Sequence, residues 1–163
     1  MIIVVAEKAK YTQQDVVYRI LEELETGRGM HMTGLIIFGE KALPLVDPRP
    51  QARLTQPYTE APVMPGRPNP GPGILEAVEA AEAYEAGEWL LLLLWSARSR
   101  IKHLDIYLNY AIASGATISL VALRPSKPPW IDEEDYKGNL ILKRVRKNTN
   151  YKKLVAEILG SHV

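Results

Sequence analysis

A three-layer α/β sandwich around a mostly parallel sheet is predicted by three features of the sequence. Short apolar runs, MIIVVA, GLIIF, EWLLLLLW and ATISLVAL, lack the alternation of a half-exposed strand, the pattern of strands covered on both faces. Segments with helical periodicity separate them, so strand and helix alternate along the chain. One long proline-rich excursion, at about residues 44–73, interrupts that alternation. With 163 residues and 47% hydrophobic content, the chain suits one core and a single domain over 1–163.

The elements follow in order. Met1 to Ala6 is the first strand, β-branched and unalternating. Thr12 with Asp15 three residues later resembles a capping box, and Val16, Val17, Ile20, Leu21 and Leu24 form one stripe before Gly27 ends the helix. Gly34 to Phe38 is the second buried strand, which implies a right-handed parallel crossover from the first. Nine of the twelve prolines then fall between Pro44 and Pro72, where they exclude regular helix and leave room for one short strand near Leu54. We expect this excursion to be ordered over the rim of the sheet, anchored by Leu54, Tyr58, Val63 and Met64. Ile74 to Gly87 reads as a helix with Leu75, Val78, Ala81 and Tyr84 apolar and its glutamates on a solvated face. Glu88 to Trp95 is the central strand, Ile101 to Ser114 a helix and Ala116 to Leu123 a further strand. Asn139 to Val145 completes the sheet as an edge strand, and Tyr151 to Leu159 is a short amphipathic helix. No internal repeat is present, and the whole reads as Rossmann-like.

Composition excludes several functions. Lys plus Arg is 20 against 19 for Asp plus Glu, so no general attraction to nucleic acid or to an anionic membrane is expected. Cysteine is absent, which removes disulfides, thiol nucleophiles and cysteine metal sites together. The three histidines, at 31, 103 and 162, lie on separate elements without metal-ligand spacing, and no metal or cofactor is expected. The start MIIVVAEKAK reverses the charge order of a secretory signal and the leucine run is too short for a membrane span, so the expected location is cytoplasmic. The Pro-, Ala-, Leu-, Arg- and Glu-rich composition without cysteine suits a thermophilic source.

In sheets of this kind ligands sit beyond the carboxyl ends of the strands. That rule selects the loops Glu7 to Tyr11, Gly39 to Lys41 and Ser96 to Lys102. They bring Lys8, Lys10, Lys41, Arg98, Arg100 and Lys102 to one rim, with Gly39 and Ser96 among them and a helix N-terminus expected at Ser99. An anion is the expected occupant.

Here the residues resemble the SLOG superfamily, the Rossmann-like fold shared by the DNA-processing protein DprA and the LOG cytokinin-activating enzymes. AEKAKYTQQD is similar to its polar turn SRDYTD after the first strand. GRPNPGPG stands where an arginine–asparagine pair precedes a helix, and WSARSRIKH resembles the loop after the central strand. The glycine-rich phosphate loop is missing: FGEKALPL stands in its place, with Gly39 alone retained and Glu40 where phosphate would lie. Ile101 and Lys102 replace a Gly–Thr pair. The resemblance implies a binding module for a nucleotide or nucleotide derivative, held by Arg98, Arg100 and Lys102 in place of backbone amides. A degenerate interaction protein without a ligand is the alternative. A nucleotide N-glycosidic hydrolase or transferase of phosphoribohydrolase type is the third reading. It would rest on Asp105, at the position of the family's glutamate, with His103 beside it. The nucleophilic glutamate of the related deoxyribosyltransferases falls on Tyr107, which counts against that class. The expected partner is a phosphate-bearing small molecule, and Trp130 and Tyr136 in a proline-bearing segment are compatible with a homodimer.

Overall fold

The first strand, β1 (Ile2–Glu7), is buried along its whole length because it has a parallel neighbour on each side and a helical layer on each face. A computed structural model of the protein describes residues 1–162; Val163 lies outside them. Val4 stands beside Leu35 of β2 (Met32–Phe38) in one direction and beside Leu92 of β4 (Trp89–Trp95) in the other. The order across the six-stranded sheet is β3-β2-β1-β4-β5-β6, with β5 at Ala116–Ala122 and β6 at Leu140–Arg144. Every pairing is parallel except that of β3 (Ala42–Pro50) with β2.

Alternate side chains of β1 build two cores. Ile2, Val4 and Ala6 pack with α1 (Gln14–Gly27), with Tyr58 of α2 (Thr55–Glu60) and with α5 (Tyr151–His162). Ile3 and Val5 pack with α3 (Gly71–Ala83) and α4 (Leu104–Ala113). Both faces are therefore apolar, which is why the sequence shows runs instead of alternation. This is the α/β three-layer architecture with a mostly parallel sheet. Among the described residues, no helix is long and apolar enough to cross a membrane.

The excursion is more regular than its prolines suggest. Its first part is β3, an edge strand whose Pro44 and Pro50 stand opposite Ile36 and Met32, with shifts of register between Thr33 and Ile36. Prolines are tolerated there because an edge strand has a side with no ladder to complete. The short strand expected near Leu54 is instead the helix α2, with Leu54 fully buried at its N-cap. Helix α3 starts at Gly71, earlier than the expected Ile74, because Pro72 lies in its first turn, where a missing N–H removes no helical bond. Thr12 does not cap α1, since its hydroxyl is taken by Glu7 and by the Ala9 amide.

The excursion is ordered against the body, chiefly through Lys8. The Lys8 ammonium is buried and donates to the carbonyls of Tyr58 at 2.6 Å, Thr59 at 3.2 Å and Ala61 at 2.6 Å, the free carbonyls at the end of α2. Burial lowers its pKa from the ordinary lysine value. Beyond α2 the chain is strapped down by Met64 N to Lys8 O at 2.7 Å and by Glu40 N to Pro65 O at 3.1 Å. Gly39 is needed for that approach: a Cβ there would stand 2.7 Å from Met64 Cβ and 2.8 Å from the Pro65 carbonyl oxygen. Replacing Lys8 by methionine leaves three carbonyls without their donor, and urea unfolding is expected to show a loss of about 3 kcal/mol. Limited proteolysis should then cut within 54–64, whereas wild-type stability and resistance would show that Lys8 does not hold the excursion.

Candidate functional site

β1 and β4 are neighbours, but the chain leaves them toward opposite faces, β1 to α1 in one core and β4 to α4 in the other. A crevice opens at such a switch of direction. It is present here as a cleft of about 600 Å³ above the carboxyl ends of the two strands. The residues after β1 form one side, the loop after β4 a second, and the excursion from Val63 to Pro68 a third.

The floor is the carboxylate of Glu7, which is almost wholly buried. One oxygen accepts from the Ser96 hydroxyl at 2.7 Å and the Ser96 amide at 3.2 Å, and the other accepts from the Thr12 hydroxyl at 2.5 Å. A buried charge persists only when its hydrogen bonds replace those of water, and here both oxygens are engaged. Tyr58 donates to the Glu7 carbonyl at 2.7 Å. Burial, and secondarily the Glu7 charge, raise the Tyr58 pKa far above the ordinary tyrosine value. The loop after β4 leaves through Ala97, a buried non-glycine residue with φ of 52°, in the left-handed region that alanine seldom adopts.

The walls differ in character from the floor. Tyr11 is 71% exposed and Val63 51% exposed, and both line the cleft beside Met64. Lys10, Arg67 and Arg98 stand around them. Arg67 Nη2 donates to Ser99 Oγ at 2.9 Å and Arg98 Nη2 to the Tyr11 carbonyl at 3.4 Å, which spans the mouth from two sides. Among the described residues, the salt bridges are Lys127–Glu133 and Lys143–Glu157, so none of these three cations is paired with a carboxylate.

The residues expected at the rim divide among three places. Ser96, Arg98 and Ser99 line the cleft. Arg100, Lys102, His103 and Asp105 line a second cleft of about 640 Å³, with Trp130 and Tyr136 opposite. The two are separate because α4 begins at Leu104, three residues later than expected, after a left-handed turn at His103 with φ of 65°. Ser99 is therefore in a loop and not at a helix N-terminus. Asp105 lies in the first turn of α4, and burial, followed by the charges of Asp105 and Asp135, raises the Tyr136 pKa. Lys8 and Gly39 do not face a ligand: one holds α2 and the other admits the excursion. Lys41 is exposed and lines neither cleft. The sequence reading missed Glu7 as the floor and passed over Tyr11 and Arg67. Their signals were a carboxylate ending an apolar strand, and a cation three residues beyond the apolar Val63–Met64 pair.

No protein-family model and no curated protein matches the sequence. Solved structures match over nearly the whole chain. An aerotolerance-related membrane protein from Bacteroides fragilis superposes with a TM-score of 0.80 at 12% identity, covering 99% of this chain and 97% of that one. The SpRpn10 VWA domain gives 0.65 at 13% identity, covering 96% and 93%. Proximal thread matrix protein 1 from the mussel byssus, described with a zinc-occupied MIDAS motif, gives 0.73 at 10% identity over 98% of this chain and 47% of that one. The chain thus has the fold of von Willebrand factor A-type domains, which is Rossmann-like but distinct from SLOG. This corrects the SLOG resemblance and the nucleotide or other phosphate-bearing small molecule expected from it. The resemblance rested on the order of strands and helices, common to many Rossmann-like sheets, and on one loop. The N-glycosidic role for Asp105 and His103 loses its support with it.

The zinc of the byssus protein raises the question of a metal in the present cleft. The donor set does not fit one. Both Glu7 oxygens accept from Ser96 and Thr12, and the other charged residues lining the cleft, Lys10, Arg67 and Arg98, are cationic. Among the described residues, no three His, Cys, Asp or Glu side chains are grouped to hold an ion.

Two substitutions test the floor. Glu7→Ala leaves the Ser96 and Thr12 donors without their acceptor, and chemical denaturation is expected to show a loss of about 2 to 4 kcal/mol. Tyr58→Phe isolates the titration. Because the folded pKa of Tyr58 is raised, its contribution is fully present below the unfolded value, about 10, and is lost as pH rises above it. Wild type should lose stability more steeply than Tyr58→Phe above that pH, with the Lys8 contribution common to both proteins; parallel curves would show that the hydroxyl is not buried.

Proposed function

We propose that this chain is a protein-interaction module acting as one domain, with the cleft above β1 and β4 as its docking surface. The observation that carries the reading is the juxtaposition of exposed Tyr11 and Val63 with the unpaired cations Lys10, Arg67 and Arg98 around one concavity. Isolated apolar side chains on a surface need no explanation, but an aromatic and an aliphatic chain flanking arginines in a cleft have the composition of an interface centre. The catalytic alternative has weaker support, since His103 and Asp105 are exposed on the second cleft. The von Willebrand factor A-type neighbours support a protein partner over a small molecule.

The test compares variants of the docking face with a distant control. A partner identified by proximity labelling is titrated against wild type, Tyr11→Ser, Val63→Ser and Met30→Ser; Met30 is 88% exposed and lies on the loop between α1 and β2. Tyr11→Ser is expected to weaken binding about tenfold or more, the effect of losing an aromatic anchor, while Met30→Ser leaves it unchanged. Binding that tolerates both cleft variants would place the interface elsewhere and overturn the proposal.

A further inference from the structure

Resting on that docking reading, we infer that the partner segment presents an acidic side chain next to an apolar one, and that arginine receives its carboxylate directly with no metal ion between. Charge complementarity carries this. Arg67 spends one of its five N–H groups on Ser99, and Arg98 spends one on the Tyr11 carbonyl, so each guanidinium is anchored with donors left over. Anchoring matters because a guanidinium already fixed by a hydrogen bond loses less freedom when it pairs with a carboxylate. Lys10 adds a third positive charge, and its ammonium lies 5.4 Å from the Tyr11 ring, within cation–π range of the aromatic wall.

The opposing charges are accounted for. Glu7 is the carboxylate of the floor, and its three donors hold its oxygens within the fold. Glu40 packs against Gly66, and among the described residues it forms no salt bridge with Arg67. At this rim both carboxylate oxygens of Glu7 already accept hydrogen bonds from the fold, and the positive charges are supplied by side chains. An arriving carboxylate would meet two forked donors, with Tyr11, Val63 and Met64 available to the neighbouring apolar side chain. Two cations with unused donors and no carboxylate partner form an incomplete ion-pair set, and an acidic residue completes it.

The probe is a random peptide library displayed on phage, selected against the full chain in the presence of a chelator. Recovered sequences are expected to share Asp or Glu adjacent to an apolar residue. For a synthetic peptide of that kind, Arg67→Gln and Arg98→Gln should each weaken binding about tenfold, as should Asp→Asn in the peptide. Arg98→Lys should restore part of the loss, since lysine keeps the charge and lacks the fork. Magnesium or zinc should not tighten binding. Recovered peptides that lack acidic residues yet lose binding with Tyr11→Ser would overturn the acidic specificity while leaving the docking surface standing. Peptides indifferent to Tyr11→Ser, Arg67→Gln and Arg98→Gln, or a selection that recovers none, would overturn the docking reading itself. Binding that requires a divalent ion would overturn the metal-free pairing. Circular dichroism and melting of each variant confirm the fold, as expected for exposed positions.

Discussion

The buried carboxylate of Glu7 ties together the ends of two central strands and the turn that leaves one of them. Ser96 at the end of β4 reaches it with amide and hydroxyl, and Thr12 reaches it from the turn before α1. Without those bonds a charge at that depth would be strongly unfavourable, so the position of each loop is set by the need to satisfy it. Lys8, the next residue, points to the other side of the strand and imposes a similar condition on the excursion, whose α2 carbonyls converge on its ammonium. Two successive buried charges of opposite sign thus fix two different loops around one strand end.

That arrangement has a direct consequence for what the rim can bind. A carboxylate whose two oxygens are both engaged by the protein's own donors serves the structure first. The charges that remain available are the arginines and lysine on the loops it holds in place. The mouth of the cleft is cationic and aromatic. The crevice itself is created by the departure of α1 and α4 to opposite faces of the sheet, and the loops that line it set its chemistry.

Much of the architecture was legible in the sequence. Strands β1, β2, β4 and β5 are covered on both faces, and burial on both faces writes itself as unbroken runs such as WLLLLLW. Strand β3 was hidden because an edge strand can carry Pro44, Pro48 and Pro50, which read as breakers to any rule built on interior strands. The start of α4 was misplaced because Ile101 fits the helical stripe, whereas the left-handed turn at His103 has no sequence signal of the glycine kind. The site was legible only as a region. Loop position drew attention to Lys8, Arg98 and Arg100 alike, but whether a cation faces inward, into the cleft or away from it depends on backbone direction at single residues. Arg67 escaped because it belongs to a loop following no strand end, brought to the rim by contacts some thirty residues distant in sequence.

A partner held above β1 and β4 through an acidic group, without a metal, would leave its footprint on the amides of three loops. At 163 residues the chain is small enough for residue-level mapping by nuclear magnetic resonance. The decisive measurement follows backbone amide shifts while an acidic partner segment is added, first in chelator and then with magnesium. The perturbed amides are expected to cluster at Lys10 to Thr12, Val63 to Arg67 and Ser96 to Ser99, and to be the same in both conditions. Shifts confined to the second cleft between α4 and Trp130 to Tyr136, or appearing only with the divalent ion, would contradict that expectation.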